Sequence, residues 1–168
     1  MLLESLLYDS SRAAIIDAVK VIEGKPELFE KMLELCTQPY PVAMRAARVV
    51  QIYCIKYPDT ILPHLKILTD ELLTTKVDGV KRSFLKIMIE AIDIKYIYNA
   101  GLVFNKCLDW LFSEKETIAV RAYSLDLVVK FVKKEPDLKN EMMLVLENVP
   151  LDDFPSLEIR IRRYLKKF

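Results

Sequence analysis

Histidine and glycine are nearly missing from this chain, and their scarcity narrows the chemistry before any pattern is read. The single histidine, His64 in Leu62-Pro-His-Leu-Lys, has no second histidine and no nearby cysteine with which to form a metal shell or a nucleophile–base pair. The three glycines, Gly24, Gly79 and Gly101, are isolated, so neither GxxxxGK nor GxGxxG occurs and no phosphate cradle is encoded. So few glycines also weigh against a sheet-rich fold, which needs them for turns and bulges. Cys36, Cys54 and Cys107 form no CxxC pair; an odd, unclustered set reads as buried thiols in a reducing compartment. An excess of one charge sign is absent too. With 25 basic and 24 acidic residues the net charge is +1, which leaves no bulk field to attract polyanions. No apolar run approaches the ~20 residues that cross a bilayer, and Glu4 stands where a secretory signal carries a base. These absences predict a cytoplasmic protein with no metal, no cofactor and no membrane association.

Paired carboxylates do occur. Asp152-Asp153 lies beside Pro150 and Pro155, and Glu114 and Glu116 flank Lys115. Both sets read as turn or helix-capping residues. The one concentration of charge is Arg160-Ile-Arg-Arg-Tyr-Leu-Lys-Lys-Phe168, five bases without an acid. It reads as a solvent-facing cap on a final helical unit, the alternative being contact with an acidic partner, a nucleic acid or a membrane surface.

What the chain does have is 52% hydrophobic and 29% charged residues, and eight prolines that fall between apolar-periodic segments. Leu125, Val128, Val129 and Val132 recur at i, i+3, i+4 and i+7, one stripe of a helix. The spacing predicts helices near 2–8, 11–23, 27–37, 42–56, 60–74, 78–93, 98–113, 116–134, 137–147 and 156–167, within one domain spanning 1–168. Asp59, Asp78, Asp137 and Ser156 are the expected cap residues. Lys133 and Lys134 suit a helix C-terminus. Short connections make consecutive helices antiparallel neighbours.

A helix start recurs. Pro41-Val-Ala-Met-Arg45-Ala-Ala-Arg-Val49, Val77-Asp-Gly-Val-Lys81-Arg-Ser-Phe-Leu85, Thr117-Ile-Ala-Val-Arg121-Ala-Tyr-Ser-Leu125 and Ser156-Leu-Glu-Ile-Arg160-Ile-Arg-Arg-Tyr164 each place an apolar residue before a base and another apolar or aromatic residue four further on. The bases are 36, 40 and 39 residues apart. A weaker copy begins at Ser10-Ser-Arg12. A period near 40 with two helices per unit is that of an α-solenoid. The apolar-Arg-x-x-Ala form, best seen in Met44-Arg45-Ala-Ala and Val120-Arg121-Ala, resembles the second helix of HEAT repeats. The Asp often found before this Arg is not regular here, Asp78 and Glu116 being partial stand-ins. The resemblance implies an all-α, right-handed α-α superhelix of about four antiparallel HEAT-like helix pairs plus terminal helices.

Arg45, Lys81, Arg121 and Arg160 then read as repeat-stacking residues, stems laid on a neighbouring helix and heads on carboxylates or carbonyls. The alternative is a rail for an acidic ligand. Counted from the apolar residue of the motif, positions four, seven and eleven lie off the expected core stripe: Ala47, Val50 and Cys54; Ser83, Lys86 and Glu90; Tyr123, Asp126 and Lys130. The polar members of that ladder, Ser83, Lys86, Glu90, Tyr123, Asp126 and Lys130, are the candidate contacts for a protein or peptide partner of a non-enzymatic scaffold that is a monomer or weakly self-associating. The rival is a DNA-binding protein similar to the HEAT-like alkylpurine DNA glycosylases, using Trp110, Tyr123, Asp126, Arg121 and Lys130. A near-zero net charge argues against nucleic acid, and Trp110 fits the core of an amphipathic helix better.

Overall fold

Nine α-helices and four short 3-10 helices form among the residues described by the computed structural model, 2–151 and 154–168. Asp152-Asp153 falls outside the described residues. The helices are α1 (Arg12–Ile22), α2 (Pro26–Leu35), α3 (Val42–Lys56), α4 (Leu65–Thr74), α5 (Asp78–Glu90), α6 (Ala100–Phe112), α7 (Ile118–Lys134), α8 (Lys139–Asn148) and α9 (Pro155–Leu165). No strand occurs among the described residues, and no helix is long and apolar enough to cross a membrane.

Proline sets several starts. Pro26 and Pro155 open α2 and α9, where a missing N–H costs nothing. Pro58 and Pro136 open 3-10 turns, Pro58–His64 and Pro136–Leu138, which run directly into α4 and α8. The continuous helices expected from 60 and 137 are therefore each split into a tight turn and an α-helix. The first predicted helix is a 3-10 segment, Leu3–Leu7. The capping expectation is also corrected. Among the described residues, the side chains that accept N–H bonds at α-helix starts are Ser11, from Ala14, and Thr117, from Val120. Asp59 and Asp137 sit within 3-10 turns, Ser156 follows Pro155 inside α9, and Asp78 is the first residue of α5, paired with Arg82 at 2.7 Å. A hydroxyl one residue before the helix can reach the N–H three residues on; a carboxylate already inside the helix points away from it.

The chain forms two compact units, Met1–Ile92 and Asp93–Phe168. In the first, α3 is central and packs against α1, α2 and α5, with α4 against α5. Its interior holds Ile15, Ile22, Phe29, Met32, Val49, Val50, Phe84 and Leu85, all essentially inaccessible. In the second, α7 is central: α6, α8 and α9 all pack on it. The predicted stripe Leu125, Val128, Val129 and Val132 is buried there with Trp110 and Phe104. Cys36, Cys54 and Cys107 are free thiols buried in these cores. Burial pushes Cys54 and Cys107 up to about 12 and Cys36 well above its ordinary value.

Candidate partner-binding site

The motif bases begin the site because the sequence repeats them. Arg45 lies in the first turn of α3 and donates from Nη1 to the Leu7 carbonyl at 2.9 Å and from Nε to Ser10 Oγ at 3.0 Å. Arg121, in the first turn of α7, is 0% exposed. Its Nε donates to the Leu111 carbonyl at 3.1 Å and its Nη2 to the Pro150 carbonyl at 2.6 Å. Leu111 is in the last turn of α6, where carbonyls have no intrahelical donor. The Arg121 Nη1 is buried without a hydrogen-bond partner among the described residues. Desolvation lowers the guanidinium's pKa from its ordinary value, with Glu114 opposing. Arg160 of α9 pairs with Asp126 of α7 at 2.5 Å. Lys81 is half-buried at the start of α5.

The partner-face candidates divide between the two units. In the first, Lys86 and Glu90 pair with each other along α5 at 2.6 Å, and Ser83 is 5% exposed. The off-core placement expected for Ser83 does not hold, nor does it for Ala47, Val50 and Cys54, which are fully buried. The reason is packing on more than one side: α3 and α5 each meet several neighbours, so their apolar sector is wider than a single stripe. In the second unit Tyr123, Asp126 and Lys130 are half-exposed on α7. Asp126 accepts from both Arg160 and the Tyr164 hydroxyl, at 2.5 and 2.9 Å. Desolvation lowers the Lys130 pKa, and the facing Asp93 partly restores it.

The second unit has a concavity, lined in part by Phe131 and Lys134 of α7, that periodicity did not reveal. It is a cavity of about 460 Å³ whose floor is Ile94, Ile97, Phe104 and Phe131. Phe104 and Phe131 meet edge to face, with centroids 5.5 Å apart. The turn Ile94–Tyr96 is fixed by Asp93, whose carboxylate accepts from the Lys95 N–H at 3.0 Å. That bond holds the Asp93 carboxyl below its usual range; desolvation opposes it, and the charges of Lys134, Lys95 and Lys130 add smaller lowering contributions. Lys95 and Lys134 give the rim a basic edge; Glu135 and Glu141 give it an acidic one. Gly101 also lines the cavity, and a Cβ there would meet nothing within 4 Å. The only sequence signal for this site was an apolar α6 with a glycine in its first turn.

No group of three or more His, Cys, Asp or Glu is placed to hold a metal among the described residues. His64 sits against the Phe29 ring, centroids 5.6 Å apart, with Nε2 3.9 Å from Glu30. Trp110 is a core residue.

No curated protein and no solved structure matches the chain. A family model does. The same helix start opens α3, α5 and α7 and recurs within α9, and the model described as a HEAT repeat domain matches residues 2–168, so the chain belongs to the HEAT repeat family.

Proposed function

We propose that this protein is a non-enzymatic interaction scaffold whose partner is a protein or peptide. The observation that carries the reading is the cavity of the second unit: an apolar, partly aromatic floor inside a rim bearing both charge signs. Such a site suits an apolar side chain on a polar backbone. It suits phosphates poorly, because Glu135 and Glu141 stand on the same rim as Lys95 and Lys134. Tyr123 and Lys130 of α7 are the proposed flanking contacts, with Lys86 and Glu90 on α5 as a separate contact set. Repeat-stacking roles for Arg45, Arg121 and Arg160 are supported by their hydrogen bonds to carbonyls and to Asp126. A reducing, cytoplasmic setting fits the three buried thiols.

The test is Gly101→Phe, which puts a ring on a cavity-lining position where an added Cβ meets nothing within 4 Å. Wild-type protein immobilised on resin should capture a partner that the variant loses, with circular dichroism and the thermal midpoint unchanged or raised. Partners recovered at equal yield would overturn the reading. Retention on DNA that falls steeply with salt would overturn it in favour of a nucleic-acid role.

A further inference from the structure

The repeat motif breaks at its fourth copy. Val80 and Val120, the apolar residues that precede the base in the second and third copies, are fully buried, whereas Ile159 is 60% exposed. Helical spacing puts Ile159, Arg162 and Arg163 of α9 and its C-cap Lys166 at i, i+3, i+4 and i+7, one stripe, with Lys167 just beyond. They line a shallow hollow of about 510 Å³. The opposite face is already used: Leu157 and Ile161 are buried, and α9 packs on α7. Two of the bases are also committed. Arg160 is turned to Asp126, and Arg162 shares its charge with Glu158 at 2.5 Å. The Lys167 ammonium stands over the Tyr164 ring, 5.7 Å from its centroid. No ion pair engages Arg163 or Lys166 among the described residues.

We propose that this face of α9 docks an acidic peptide segment that carries an apolar residue. A face serving only solubility needs charge and has no use for an isoleucine at its centre. Here the aliphatic stems of Arg162, Arg163 and Lys166 extend the apolar surface around Ile159, while their heads offer charge to carboxylates. The stripe from Ile159 to Lys167 is about 12 Å long, enough for a few residues of partner. A bilayer is the poorer match because α9's larger apolar residues face inward and leave one outside. Nucleic acid is the poorer match because the stripe presents no ring for bases to stack on; Tyr164 is tied to Asp126 and covered by Lys167.

The proposal is independent of the cavity, and a single titration series separates the two. The probe is a fluorescein-labelled peptide of Glu and Asp residues with one central Leu, read by anisotropy against the full chain. It should bind the wild type and Gly101→Phe alike. Binding should fall at least about tenfold in the triple variant Arg163→Glu/Lys166→Glu/Lys167→Glu, and severalfold in Ile159→Ser or when the peptide's Leu is replaced by Ser. These positions are exposed or lie on an exposed stripe, so circular dichroism should be unchanged. The idea is overturned if the peptide does not bind, or binds the triple variant equally. It is also overturned if single-stranded DNA or anionic vesicles bind this stripe more tightly than the peptide, or if light scattering shows the stripe covered by a second copy.

Discussion

Arg160 and Asp126 meet at 2.5 Å, joining α9 to the middle of α7. By sequence the arginine belonged to the stacking set and the aspartate to the partner face. Their pairing shows that the carboxylate is spent inside the unit, where it also accepts from the Tyr164 hydroxyl. Asp126→Ala leaves both donors without their acceptor. Since the pair is partly solvated, the expected loss is about 1–2 kcal/mol rather than that of a fully buried bridge. Urea unfolding of the variant checks it, and a loss below about 0.3 kcal/mol would mean that α9 is held by its apolar side alone.

Tyr164 gives that joint a pH dependence. Burial first, and donation to Asp126 second, push its phenol up to about 12. The unfolded value is about 10, so the native state holds the proton more tightly. The corresponding stabilisation is intact below about pH 10 and is lost as pH climbs through about 12. Tyr164→Phe should flatten the alkaline limb of stability in that window. Urea midpoints measured across it would show this; a limb identical to wild type assigns the effect to another group.

The motif bases should differ in weight. Arg121→Ala strips a fully buried site of its largest side chain and leaves the Leu111 and Pro150 carbonyls without a donor. About 3 kcal/mol or more should be lost. Arg45→Ala should cost less than about 1 kcal/mol, because Ser10 is exposed and water can replace the guanidinium. Equal losses at the two positions would sink the distinction.

Leu125→Ala tests the helix phase on which the whole architecture was read. Leu125 is inaccessible in α7, so the truncation should cost about 2–5 kcal/mol. A change near zero in denaturant midpoint would place it at the surface.

The legible part of the fold was periodic. The stripe from Leu125 to Val132, the motif starts of α3, α5 and α7, and the lysines ending α7 all follow from 3.6-residue spacing and helix-end electrostatics, which are local. What escaped depends on neighbours. Ala47, Val50, Cys54 and Ser83 are buried because α3 and α5 are covered on several sides, which one helix's pattern cannot report. The cavity needs α6, α7, α8 and two 3-10 turns at once, and its floor residues are indistinguishable in sequence from ordinary core. Ser11 and Thr117 cap their α-helices from one residue ahead, whereas Asp78 and Ser156 lie already inside theirs, a one-residue difference that sequence spacing does not resolve.

At Gly79, α5 approaches α3 closely. A Cβ built there would stand 2.3 Å from Met44 Cγ and 3.0 Å from its Cβ, well inside contact distance. Alanine is otherwise the better helix former by up to about 1 kcal/mol, so the sign of Gly79→Ala depends on whether Met44 can move. The Met44 Cγ can rotate away at some cost in rotamer energy, but its Cβ moves only with the α3 backbone. The expected outcome is a net loss of about 1–2 kcal/mol for Gly79→Ala. In the background of Met44→Ala the same substitution should cost clearly less, since the Cγ at 2.3 Å is gone and only the 3.0 Å contact with the Cβ remains. A double-mutant cycle in urea should therefore give a coupling of about 1 kcal/mol or more. Additive effects would mean that the α3–α5 contact is looser than these distances imply.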